Sequence, residues 1–160
     1  MSKAMFDIVL EPDSIQVSQG DFSRQVFARI YCVTGDACFP EQGWDDFALI
    51  VLEWWSQQWF NLAEGRAAEF QFMDGAFHFT SQPAAKPGEV AVSFYENRQL
   101  VKTMEIPQRL LMEKLVKVFN QLLRLLAEAG ETGSGEYQRL AENFMRAQQF
   151  ATRHKAGQPA

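Results

Sequence analysis

The chain has 160 residues, 47% of them hydrophobic, and a formal net charge of -5. That length suits one domain with a proper core, and the acidic balance disfavours nucleic acid, whose recognition rests on Lys and Arg neutralising phosphates. The two cysteines, Cys32 and Cys38, fit neither a disulfide framework nor a zinc spacing, which excludes a stapled scaffold and points to reduced thiols.

At the start, MSKAMFDIVLEPD, Asp7 and Glu11 interrupt any run that could act as a secretory signal. The longest apolar run, 47–52, is too short to cross a bilayer. A cytoplasmic, non-membrane protein is expected. Phe6, Ile8 and Leu10 alternate with Asp7, Val9 and Glu11, the period-two pattern of a strand with one buried face. Pro12-Asp13 marks a turn, Ile15 and Val17 a short second strand, and Gly20-Asp21 another turn. Residues 25–34 read as a central strand, apolar on both faces, and 35–43 as a loop.

All four tryptophans fall within 39–62, FPEQGWDDFALIVLEWWSQQWFNL. The spacing predicts a helix over 44–64. Asp45 and Asp46 are placed at its start, where carboxylates accept free backbone N–H groups and oppose the positive dipole end. Gly65 is placed to stop it. Ala48, Leu52, Trp55, Trp59 and Leu62 form an apolar stripe widened by Phe47, Val51 and Trp54. Asp46, Glu53, Gln57 and Glu64 leave a narrow polar strip.

Strands at 69–73 and 76–81, joined by Asp74-Gly75 as a type I′ turn, aim Phe70, Phe72, Phe77 and Phe79 at the tryptophan helix. A proline-containing loop at 82–88 precedes strands at 89–96 and 100–106, which flank a turn at Asn97-Arg98. Pro107 suits a helix start, and that helix runs to 129. Residues 130–135 connect to a last helix, capped by Ser134 and running to about 153, with Tyr137, Leu140, Ala141, Phe144 and Ala151 on one face. Residues 154–160 read as a flexible tail. The expected fold is one α+β domain over 1–153, in the order βββ-α-ββββ-αα. Its sheet is mainly antiparallel, with a buried Trp-rich helix and two C-terminal helices.

Neither GxSxG, a glycine-rich phosphate loop nor HExxH occurs. Asp45, Asp46, Asp74 and His78 form the set on which a small metal- or ligand-dependent enzyme would depend, because carboxylates beside an imidazole can move protons or hold a cation. Each acid already has a structural task, however, as a cap or a turn former, and His78 alternates with Phe77 and Phe79 and so faces solvent. Arg139, Arg146 and Arg153 recur every seven residues on the last helix, but Glu136 and Glu142 among them make it a solvated face. No catalytic residue, metal ligand or cofactor is expected. The residues that suit partner binding are an acidic and aromatic rim: Asp36, Glu41, Trp44, Asp45 and Asp46. A homodimer paired through the apolar final helices is a further reading.

The segment CFPEQGWDDFALIVLEWW, followed by FQFMDGAFHF, resembles an uncharacterised family of small bacterial proteins. That family carries an FP, GW-acid-F, apolar helix, WW block and then an FMDG hairpin. The matching residues are Phe39, Pro40, Gly43, Trp44, Asp46, Phe47, Trp54, Trp55, Phe72, Met73, Asp74 and Gly75, within roughly residues 26–80. Some members resemble immunity proteins of bacterial toxin systems. The resemblance implies a non-enzymatic cytoplasmic protein that binds and neutralises a cognate toxin.

Overall fold

Residues that are apolar on both faces cannot line an exposed edge, and the chain builds its first sheet around such a stretch. In the structure, a computed structural model that describes residues 5–19 and 24–157, this is strand β3 (Arg24–Thr34). Strands β1 (Phe6–Leu10) and β2 (Gln16–Gln19) pair antiparallel with successive stretches of it, Leu10 opposite Ile30 and Gln16 opposite Phe27. A 3-10 turn at Pro12–Ser14 lies between them. It keeps Arg29 satisfied: Glu11 N–H donates to Arg29 C=O at 3.0 Å, and Arg29 N–H donates to Ser14 Oγ at 2.8 Å. The turn expected at Gly20-Asp21 lies outside the described residues. The expected loop instead contains a short strand, β4 (Ala37–Phe39), and Asp45–Asp46 form β5 opposite Arg29 and Ala28.

The tryptophan helix, α1, therefore starts later than its spacing suggests and spans Ala48–Ala63. Its N-cap is Phe47, with no side-chain cap bond. Asp45 and Asp46 do not cap it, because pairing with β3 has already drawn their backbone into a strand. The other end is as expected. Gly65 has φ +77°, its N–H donates to Leu62 C=O, and Arg66 N–H donates to Asn61 C=O at 2.8 Å, which satisfies the last carbonyls.

The remaining strands, β6 (Ala68–Gln71), β7 (Phe77–Pro83), β8 (Glu89–Glu96) and β9 (Gln99–Pro107), form an antiparallel meander. The strands thus divide between two sheets. Phe39 of β4 joins them, with its ring 5.9 Å from Phe72, 5.9 Å from Phe77 and 5.0 Å from Phe94. Lys102 Nζ also donates to Thr34 C=O at 2.6 Å.

Asp74-Gly75 is not a type I′ turn, since neither residue has a positive φ. Phe77 N–H donates to Asp74 C=O at 3.0 Å and Ala76 N–H to Asp74 Oδ1 at 3.1 Å, so the aspartate closes a wider turn through its own side chain. The left-handed pair is Asn97-Arg98, with φ 51° and 66°. Asparagine tolerates that region and arginine does not. Arg98→Gly is expected to relieve about 1–2 kcal/mol of strain against about 0.5–1 kcal/mol of extra chain entropy. A rise in the urea midpoint is the expected result, and a fall would contradict it.

Helix α2 (Gln108–Glu128) follows Pro107, and α3 (Gly135–Gly157) follows Ser134, whose Oγ accepts Tyr137 N–H at 3.0 Å. The segment expected as a tail from 154 is helical to Gly157, and 158–160 lie outside the described residues. Helix α1 packs against β3, β6, α2 and α3. The stripe Ala48, Leu52, Trp55, Trp59 and Leu62 is buried, as are Leu111, Leu115, Val118, Leu122 and Leu126 of α2, so the apolar face of α2 is used within the chain. On α3, Leu140 and Ala147 are buried and Ala151 is exposed.

Candidate functional site

The expected rim is not intact, because one of its five residues, Asp46, is buried. Asp45 stands opposite Arg29 in the β3–β5 register, and Asp36 lies beyond Thr34 at the far end of β3. At about 3.3 Å of rise per residue, that separates them by roughly 17 Å along the strand. Asp36, Glu41 and Asp45 are exposed. Arg29, opposite Asp45, sets a cation at that end, 3.3 Å from Glu11. Trp44 is half-buried, with its ring 5.0 Å from Phe77 and 6.5 Å from Phe72. Asp46 is buried, 5% exposed, and is withdrawn from any surface. Its carboxylate accepts Trp44 Nε1–H at 2.9 Å, Phe47 N–H at 2.7 Å and Met73 N–H at 3.2 Å. It fastens the start of α1 to the turn after β6.

The set that an enzyme would need is committed in the same way. Asp46 serves three backbone and indole donors, Asp74 serves its own turn, and Asp45 faces solvent. His78 is not alone: its ring lies flat on Tyr95, 4.8 Å away at 5°. Among the described residues no three His, Cys, Asp or Glu side chains gather as metal ligands do.

The structure reverses the two faces of α1 at one step. Glu53, assigned to the polar strip, is buried, and Trp54, assigned to the apolar stripe, is 39% exposed. Glu53 is held by Arg139 Nε of α3 at 2.8 Å and by Gln57 Nε2 at 3.1 Å. Trp54 instead opens into a shallow cleft of about 270 Å³ between α1 and β6, lined with Gln57, Gln58, Glu69 and Gln71. Gln71 lies opposite His78, and His78 opposite Tyr95, so Gln71 shares the outer face of the meander with both. There Ser93 and Thr103 share a hydrogen bond at 3.0 Å. This aromatic and amide surface is the one most suited to recognition. Its only signal in the sequence is that 54, 57 and 58 share one helical face that is polar apart from Trp54.

Among the described residues Asp7, Tyr31 and Cys32 are shifted by their surroundings, the Tyr31 hydroxyl upward by burial and by Glu11. Burial alone would raise the Asp7 carboxyl, but the hydrogen bond and charge of Lys117, 2.6 Å away, and the bond to Lys114 at 3.2 Å outweigh it and hold it below its ordinary value. The pair ties β1 to α2. Because the folded value is the lower one, its stabilisation is present above about pH 4 and is lost as pH falls through the folded value. Asp7 is 35% exposed, so screening limits the effect to about 1 kcal/mol or less. Asp7→Asn is expected to flatten the loss of urea midpoint between about pH 5 and pH 3, and an unchanged acid limb would contradict this. Burial also pushes the Cys32 thiol far up, with the Asp7 charge and Cys38 adding to it, so Cys32 stays protonated and inert. Cys38 is half-buried, and both thiols are free.

Comparison of the chain with known protein families, with curated proteins and with solved structures finds no significant match.

Proposed function

We propose that this chain is a non-enzymatic protein-binding module, an immunity-type protein that acts in the bacterial cytoplasm by binding and neutralising a cognate toxin. The observation that carries the reading is Trp54, a large aromatic side chain presented to solvent among polar neighbours on a helix that is otherwise core. Exposed tryptophan of this kind is what anchors protein interfaces. The net charge of -5 and the exposed acids Glu41 and Asp45 would speed approach of a basic partner. The commitment of Asp46, Asp74 and His78 to structural contacts also favours binding over catalysis, and so does the resemblance of the GW-acid-F and FMDG blocks to a family of small bacterial proteins, some members of which resemble toxin-immunity proteins.

The test is co-expression with the product of the adjacent gene. The expected result is a complex that survives size exclusion and restores growth. If no complex forms and growth is not restored, the reading fails.

A further inference from the structure

The polar groups around Trp54 are oriented by bonds to one another, and what they leave over has one chemical character. Gln71 Nε2 donates to Glu69 Oε1 at 2.9 Å and Gln57 Nε2 donates to Glu53 Oε1 at 3.1 Å, which leaves both amide oxygens as acceptors. Gln58 Oε1 takes Glu69 N–H at 3.1 Å and so fixes the strand against the helix. Glu69 has no Lys or Arg within ion-pair distance among the described residues, whereas the other carboxylate nearby, Glu53, is neutralised by Arg139. The cleft thus presents an indole, a carboxylate lacking a counter-ion and two amide oxygens.

That combination suits a ligand that carries positive charge, only donates hydrogen bonds and has a flat face. The guanidinium of arginine has all three properties, with five N–H donors and a plane that stacks on indole. At about 270 Å³ the cleft is smaller than the roughly 300–1,000 Å³ of sites that hold whole organic ligands, and it suits one side chain. We infer that the Trp54 cleft is a docking site for an arginine side chain of the partner protein. This rests on the protein-binding reading above and names the chemistry its partner must bring. The guanidinium lies against the Trp54 indole, pairs with the Glu69 carboxylate and donates to Gln57 and Gln71.

The experiment titrates the intact protein with acetyl-Gly-Arg-Gly-amide and with its lysine and citrulline counterparts, followed by the indole N–H and amide resonances in heteronuclear NMR. The expected result is a saturable shift at Trp54 and at Glu69–Gln71 with the arginine peptide, weakened about tenfold by Trp54→Ala, by Glu69→Gln or by citrulline. Both positions are exposed, so both variants keep the fold, and Trp54→Phe provides a second check. Shifts that are absent, equal for citrulline, or no smaller for lysine than for arginine overturn the inference. The two readings fail separately. If the adjacent gene product binds the wild type and both variants equally, the cleft assignment falls and protein binding stands. If no partner binds, the peptide titration still decides the cleft.

Discussion

Trp55→Ala is expected to lower the unfolding free energy by about 4–5 kcal/mol, the upper part of the range for truncating a buried aromatic side chain. Trp55 is fully buried, and three rings meet it nearly edge-on, Phe70 at 6.1 Å, Phe72 at 5.3 Å and Phe79 at 5.3 Å. Truncation leaves a cavity beneath two strands and orphans Gln71 C=O, which now accepts Trp55 Nε1–H at 2.8 Å. The hydrogen bond lost with it adds about 1 kcal/mol. Against a total stability of about 5–15 kcal/mol, the variant is at the edge of folding. Trp55→Phe keeps most of the packing and loses the hydrogen bond, so about 2 kcal/mol is expected. Trp54→Ala, at the neighbouring position, is expected to cost about 0.5 kcal/mol. Urea denaturation of the three variants measures the contrast. Equal losses from Trp54→Ala and Trp55→Ala would contradict the placement of one indole in solvent and the other in the core.

That pair of residues also shows how far the sequence can be read. Spacing alone identifies Ala48, Leu52, Trp55, Trp59 and Leu62 as buried, because a repeat of four and three keeps one face inward whatever lies opposite. The alternation of Phe70, Phe72 and Phe79 is legible for the same reason. So are Gly65, Pro107 and the Ser134 cap, since each depends on local backbone chemistry. What spacing cannot supply is the neighbour. Glu53 is buried because Arg139, far away in the chain, reaches it from α3, and Trp54 is exposed because α1 has no neighbour over the face it shares with Gln57. Asp45 and Asp46 look like helix caps until β3 claims their backbone. Asp74-Gly75 looks like a two-residue hairpin until Asp46 takes Met73 N–H and the turn closes on the Asp74 side chain instead. The candidate cleft was hidden for the same reason, since its members come from α1 and β6 and meet only when both are placed.

Asp46→Ala is expected to cost about 3–4 kcal/mol, more than the roughly 1 kcal/mol that loss of a helix cap would cost. Asp46 is 5% exposed, and its carboxylate is shared among three N–H donors that come from three places: the Trp44 indole, the Phe47 backbone and the Met73 backbone. Removing it leaves all three unpaired at once. Each buried donor left unmet costs about 1–3 kcal/mol, with the smaller figure fitting the half-buried Trp44, which water can reach. Asp46→Asn keeps one acceptor oxygen but turns an amide N–H toward the remaining donors, so about 2 kcal/mol is expected. Asp45→Ala, on the exposed side of the same two-residue strand, should lie within about 0.5 kcal/mol of the wild type. Hydrogen exchange locates the effect: the Phe47 and Met73 amides should lose protection together, because one group holds both. Stability therefore separates the structural role of Asp46 from a recognition role. A variant that unfolds at the wild-type urea midpoint but no longer binds its partner would return Asp46 to the binding surface. A lowered midpoint, with paired loss of protection at residues 47 and 73, fixes it as the joint between α1 and the second sheet.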